Sequence, residues 1–197
     1  MRDFRLLTAK EIECRISTVT EKGCSLLLYK TARTDYALLD DKFGMFGWQN
    51  DYEVIDGKMY CCISVKNPET GEWVKKWNCG TESFTEAEKG QASDAMKRAG
   101  FCWGIGTELY SAPFIWIPAE LCNITVNSKN KYVCFDKFTV TEIAYDDNED
   151  ISELKIKNDR GVTVFTHPRT KQQKTAEKPP ISVPFSQFPS KKPATSY

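Results

Sequence analysis

Residues 48–79 read WQNDYEVIDGKMYCCISVKNPETGEWVKKWNC, and their turn chemistry decides the fold class. Trp48 to Ile55 is rich in strand-favouring residues and ends at Asp56-Gly57, a dipeptide suited to two-residue hairpins because both positions tolerate positive φ. Lys58 to Val65 runs back, and Asn67-Pro68-Glu69-Thr70-Gly71 supplies a second turn. Glu72 to Cys79 is the third strand, with Trp73, Lys75 and Trp77 on one face and Val74 and Lys76 on the other. The stretch therefore predicts a three-stranded antiparallel meander. Downstream, Ser83-Phe84-Thr85-Glu86 has the form of a capping box and opens a helix. Ala92, Ala95, Met96, Ala99 and Trp103 cluster within about 100° of that helix's circumference, a stripe that can lie on the sheet. Lys97 and Arg98 fall on the opposite side, and Lys89, Ser93 and Lys97 form one row, so the helix aims cations outward.

Working outward from this core, Thr8 to about Cys14 reads as a short helix with Thr8 and Glu11 as its capping box. Arg15 to Lys30 reads as two strands turned at Lys22-Gly23, and Thr31 to Phe43 as a helix stopped by Gly44. Residues 105–145 are less regular, with strand-like pieces FIWI and KFTVTEIAY, and Ile151 to Phe165 forms a hairpin around Asn158-Asp159-Arg160-Gly161. The fold class is α+β: a curved antiparallel meander packed on a long helix. The aromatic residues Phe43, Phe46, Trp48 and Trp103 are assigned to the core. Three segments follow: residues 1–120 as the main body, 121–167 as a β-rich extension of the same domain, and 168–197 as a tail. Six of the nine prolines lie in that tail, which reads as a disordered basic segment.

The 197 residues carry 27 basic and 27 acidic side chains, so any polyanion must be met by a local patch. The balance is uneven: Arg169, Lys171, Lys174, Lys178, Lys191 and Lys192 against Glu177 make the tail +5 and the rest −5. No apolar run reaches the ~18–20 residues of a membrane span, and the first residues lack the apolar stretch of a signal peptide. A cytoplasmic chain with no membrane partner is expected, its eight cysteines reduced. Those cysteines include no CxxC pair, and His167 is the only histidine, so neither a zinc site nor a Cys–His nucleophile is expected. No metal, cofactor or catalytic residue is assigned. Gly104-Ile105-Gly106 lacks the third glycine of a dinucleotide loop and follows a helix where that loop follows a strand. There is no Walker A sequence. The acidic run Asp146-Asp147-Asn148-Glu149-Asp150 with Glu153 and Lys155 has the residue types of a metal-dependent nuclease, against the plain reading of a solvated loop.

The helix KGQASDAMKRAGFCWGIGTELY resembles the signature helix of the Rad-fifty-two superfamily of single-strand annealing proteins, in which K-x-A-x-[ST]-D-x-x-KRA precedes an aromatic-glycine segment. LLLYKTARTDYALLDDKFGMFGWQNDY is similar to that family's Y…R…LD…FG…GW block, and DGKMY and WNCGTES lie between the two in the family's order. Residues 1–118 look most like phage-encoded members. The resemblance implies a β-β-β-α core whose copies assemble side by side into rings or helical arcs with DNA along the outside. It implies that Lys97 and Arg98 hold phosphates, that Arg15 is a further phosphate-binding arginine, and that Lys89 lies near the groove. It also implies that the backbone of the Gly80-Thr81 turn lies against DNA, and that Lys58 belongs to a second, outer site. Eukaryotic members carry another arginine three residues past the Lys-Arg pair, where this chain has Phe101. The implied function is single-stranded DNA binding and ATP-independent annealing in phage recombination and repair, without enzymatic chemistry. The implied partners are single-stranded DNA, further copies of the chain and, through the tail, the host single-strand binding protein. The alternatives are a Mg-dependent nuclease and an RNA or protein interaction module.

Overall fold

The computed structural model describes residues 4–81 and 87–168 and, at residues 87–89, the backbone alone. A short 3-10 turn at Ala9–Glu11 precedes β1 (Glu13–Thr20) and β2 (Gly23–Tyr29). Helix α1 (Ala32–Phe43), strands β3 (Trp48–Ile55), β4 (Lys58–Lys66) and β5 (Trp73–Cys79), and helix α2 (Ala87–Cys102) follow. Beyond them come β6 (Ile115–Pro118), β7 (Ile124–Val126), β8 (Tyr132–Cys134), β9 (Phe138–Tyr145), β10 (Ile151–Asn158) and β11 (Thr163–His167). The described residues are α+β, with antiparallel pairing throughout the sheets.

The meander forms as its turns dictate. Asp56 and Gly57 both take positive φ, 50° and 74°, which sets Ile55 against Lys58 and carries the register unbroken to Trp48 against Val65. Asn67 closes the second turn, its side-chain oxygen accepting from the Glu69 N–H at 2.9 Å. β4 is the central strand, buried from Cys61 to Val65. Its α2 side presents Cys61, whose thiol lies 3.7 Å from the Met96 sulfur. The helix stripe is as expected: Ala95, Met96 and Ala99 are fully buried, and the Trp103 indole N–H donates to the Ile63 carbonyl at 3.2 Å. The outer face of β5 keeps Trp73 and Trp77 exposed at 40% and 42%.

A second sheet takes the order β11-β10-β9-β1-β2-β6. It joins the first two strands of the chain to the last three, a pairing that local periodicity does not reveal. Longer-range bonds reinforce it: Tyr145 donates from its hydroxyl to the Leu7 carbonyl at 2.7 Å, and the Ile151 N–H donates to Ser111 Oγ at 2.8 Å. β7 and β8 form a separate two-stranded hairpin. No described helix is long and apolar enough to cross a membrane.

Several expectations are corrected. The predicted helix from Thr8 shrinks to one turn, because the chain must be extended by Glu13 to pair with Tyr29; the Glu11 carboxylate still accepts from the Thr8 N–H and hydroxyl, both at 2.8 Å. The N-terminal hairpin turns one residue earlier, and Lys30 leaves the strand to become a buried cation. Phe46 does not belong to the core: it is 87% exposed in the link after α1, while Phe43, Trp48 and Trp103 pack against the core. The acidic run, by contrast, keeps its plain reading as a surface loop: Asp146 accepts from the N–H groups of Asn148 and Asp150, and Lys155 pairs with Glu142 at 2.6 Å rather than with that run. The capping box at 83–86 and the tail beyond Pro168 lie outside the described residues.

The two halves meet at a buried charge cluster. Lys30, at the end of β2, pairs with Asp35 of α1, and both side chains are 1% exposed or less. The Lys30 ammonium also donates to the Lys97 carbonyl of α2 at 3.2 Å and lies 4.4 Å from the Phe101 ring centroid. Glycines admit this cluster: a Cβ at Gly100 would stand 2.2 Å from Asp35 Oδ1, and one at Gly106 would stand 2.7 Å from the Lys30 stem. Burial pushes the Asp35 carboxyl up to about 6 against the pull of Lys30, and the same burial lowers the Lys30 ammonium. Lys30→Met, which strands Asp35, is expected to cost about 3–5 kcal/mol in chemical denaturation, and Lys30→Met with Asp35→Leu to recover most of it. With Lys30 gone, the folded Asp35 pKa lies far above the unfolded value, so stability falls as pH rises from about 4 through the folded value. The single variant's deficit is therefore smaller at pH 5 than at pH 8.

Candidate nucleic-acid interface

The expected cations of α2 are organised by a carboxylate four residues before Arg98. Asp94 Oδ2 accepts from Arg98 Nε at 2.8 Å, from the Thr81 N–H at 2.9 Å and from the Thr81 hydroxyl at 2.8 Å. Its other oxygen, Oδ1, lies 3.7 Å from Lys97 Nζ. One side chain thus ties the turn after β5 to the two cations of the helix. Burial pushes the Asp94 carboxyl up, but the Thr81 N–H, the Arg98 guanidinium and the Thr81 hydroxyl outweigh it and hold the group below its ordinary value. The side chains of Lys97 and Arg98 are 25% and 45% exposed, so both reach solvent, with Asp94 engaging Arg98 at Nε and Lys97 at its terminal Nζ.

Gly80 is explained by contact. Its N–H donates to the Met59 carbonyl at 2.8 Å, and an added Cβ would stand 2.2 Å from the Gln91 carbonyl oxygen and 2.9 Å from the Ala95 nitrogen. Only a residue without a side chain lets the turn press this closely on α2. Asn78 donates from its side-chain amide to the Arg98 carbonyl at 3.2 Å, and Lys76 Nζ donates to the Cys102 carbonyl at 2.8 Å while standing 4.3 Å from the Trp103 ring centroid. The Cys102 carbonyl is among the last four of α2, which have no partner within the helix, so the Lys76 bond satisfies an orphan acceptor.

The structure therefore brings together Gly80, Thr81, Lys97 and Arg98. Lys58 is exposed at the start of β4, one residue from Met59, whose carbonyl holds the turn. Arg15 stands exposed on β1, opposite Leu27 in the other sheet, and the described contacts do not join it to α2. The Lys89 backbone lies in α2, about 12 Å along the axis from Lys97; its side chain lies outside the described residues. Phe101 occupies no cationic position; it packs over Lys30 and against Tyr110 at 5.2 Å between centroids. Sequence reasoning missed Asp94 as the hub, although the i, i+4 Asp–Arg spacing was the signal for it.

The profile of the Rad52/22 family double-strand break repair protein matches residues 5–126. The match covers more than half of the chain and spans α2 and the turn that carries the site. The chain belongs to that family and is a protein of DNA repair and recombination. No curated protein and no solved structure matches it.

Asp94→Ala is expected to lower stability by about 1–3 kcal/mol at pH 7, the scale of hydrogen bonds to a charged group. Because the folded carboxyl sits below its unfolded value, this contribution is present above about pH 4 and fades as pH falls through the folded value. Denaturation curves of wild type and variant should converge under acid.

Proposed function

We propose that this chain binds single-stranded DNA along α2 and anneals complementary strands without nucleotide hydrolysis, as a phage-type annealing protein. The observation that carries the reading is the Asp94-centred cluster, which sets the Gly80-Thr81 turn and two solvent-reaching cations on one surface. Annealing breaks and forms no covalent bond. It needs a strand held by its backbone, with base edges free to pair. Phosphate contacts suit that need because they position a strand without reading sequence. Asp94 takes the Nε of Arg98, so a phosphate would be met by the terminal nitrogens of the same guanidinium. Lys97 adds a point charge beside it, Arg15 and Lys89 extend the track, and Lys58 belongs to a second, outer site.

One copy offers few cations on a chain of zero net charge. Repetition supplies the rest, since side-by-side copies join short basic tracks into a long one. The β3-β4-β5-α2 unit is the assembling core in this reading. Its support is the apolar surface the meander leaves uncovered: Val54 at 63%, Ile55 at 43%, and Trp73 and Trp77 on β5, an edge strand of this sheet. Rings or helical arcs are the expected assemblies. The basic residues of 168–197 would recruit the host single-strand binding protein.

The nuclease alternative is disfavoured by the turn that engages Asp146 and by the pairing of Lys155 with Glu142. Mixing complementary oligonucleotides with the protein in EDTA, with no nucleotide present, should yield duplex well above the spontaneous rate. Mg-dependent loss of labelled DNA in its place would establish the nuclease. Lys97→Ala with Arg98→Ala should keep the fold and reduce strand affinity by more than tenfold in filter binding, and should flatten the salt dependence by about 0.7 for each phosphate no longer neutralised. An unchanged binding curve overturns the assignment. Arg15→Ala should weaken binding separately while leaving the melting temperature in place.

A further inference from the structure

Three cysteines distant in sequence converge in the core. Cys24 is the second residue of β2, opposite Ile117 of β6. Cys122 follows a short 3-10 turn at Ala119–Leu121, and Cys134 ends β8, opposite Ile124 of β7. Their exposures are 0%, 6% and 9%, and their sulfur atoms all lie within 4.8 Å of one another. Three thiolates around a central ion at about 2.3 Å would stand about 4 Å apart, so the three sulfurs need only a small contraction to share one ion.

We propose that Cys24, Cys122 and Cys134 form a three-sulfur site for a thiophilic d10 cation, one that clamps the β7–β8 hairpin onto β2. The donor set defines the class of ion. It is all sulfur, which excludes the oxygen-seeking magnesium, calcium and manganese and selects soft ions of the cadmium, zinc and monovalent copper group. The nearby Asp136 is engaged elsewhere: its two oxygens accept from the Asn123 N–H and side-chain amide, both at 2.8 Å. The site is therefore three-coordinate in protein ligands.

Without an ion, burial keeps the thiols of Cys24 and Cys122 in their protonated form. The Cys122 thiol donates to the Pro118 carbonyl at 3.4 Å, and burial pushes the thiols of Cys24 and Cys122 up. Binding exchanges protons for metal. As each sulfur–metal bond forms, one S–H bond breaks and its proton leaves to solvent. A divalent ion replacing three protons leaves one net negative charge in the core, and a monovalent ion leaves two. Burying less charge costs less, so the divalent ion is favoured. Affinity should accordingly rise steeply with pH.

The test is titration of the full reduced chain with cadmium chloride, followed by ultraviolet sulfur-to-metal charge transfer and by calorimetry. Expected are one tight equivalent per chain, release of about three protons, and a rise in melting temperature of about 5 °C or more at a hundredfold excess over Kd. Cys134→Ser, checked by circular dichroism to be folded, should lose the equivalent. Because a buried serine also costs stability, the converse variant carries equal weight. Cys14→Ser with Cys79→Ser and Cys102→Ser removes three thiols outside the cluster and should keep the equivalent in full. Absence of a charge-transfer band in the wild type at micromolar cadmium overturns the proposal, as does loss of the equivalent in the converse variant or its survival in folded Cys134→Ser.

Discussion

The buried pair of Lys30 and Asp35 is the constraint on which the arrangement rests. It sits where the end of β2, the start of α1 and the last turns of α2 converge, and each contributes a group to it. An ion pair in such a place adds little net energy over apolar packing of the same volume. Its value is positional. Lys30 must find both Asp35 and the Lys97 carbonyl, and only one placement of α2 against the N-terminal hairpin offers both. Asp35 Oδ2 is left without a hydrogen-bond partner, so the cluster also carries an uncompensated cost that an apolar core would not. The α2 backbone group it bonds, the Lys97 carbonyl, belongs to a residue whose side chain reaches solvent as a cation.

Asp94 completes the positioning from outside. A carboxylate beside Lys97 and Arg98 lowers the net charge of the surface, which on Coulombic grounds alone would weaken the proposed hold on a polyanion. What it supplies is order. Arg98 and Thr81 are held in one geometry, so less side-chain freedom would be lost on binding a backbone phosphate as proposed. Under the proposed annealing function, which grips a strand and then releases a duplex, moderate affinity in a fixed geometry suits better than a dense cluster of loose lysines.

What could be read from the sequence follows the range of the interactions. The meander was legible because its two turns are set by local residues, Asp56-Gly57 and Asn67 to Gly71, and the buried stripe of α2 because it repeats with the helical period. Lys97 and Arg98 could be placed on the polar face for the same reason. Phe46 was misassigned because its apolar character says nothing about a link that no element covers. The six-stranded sheet was invisible because β1 and β9 meet through pairing across more than a hundred residues, and neither strand carries a mark of the other. The same limit hid the convergence of Cys24, Cys122 and Cys134, whose spacing matches no metal motif. The partnership of Lys30 with Asp35 is five residues apart, yet its burial depends on Gly100 and Gly106, which no local pattern links to it.

The family signature ends near residue 126, but the sheet does not. A nascent chain that had emerged only that far would hold β1 with one margin open and the Leu7 carbonyl without its Tyr145 partner. The unsigned segment that follows is thus what seals the recognisable part. On the ribosome, the N-terminal hairpin must wait for β9 to β11 before its exposed edge is closed to neighbouring polypeptides.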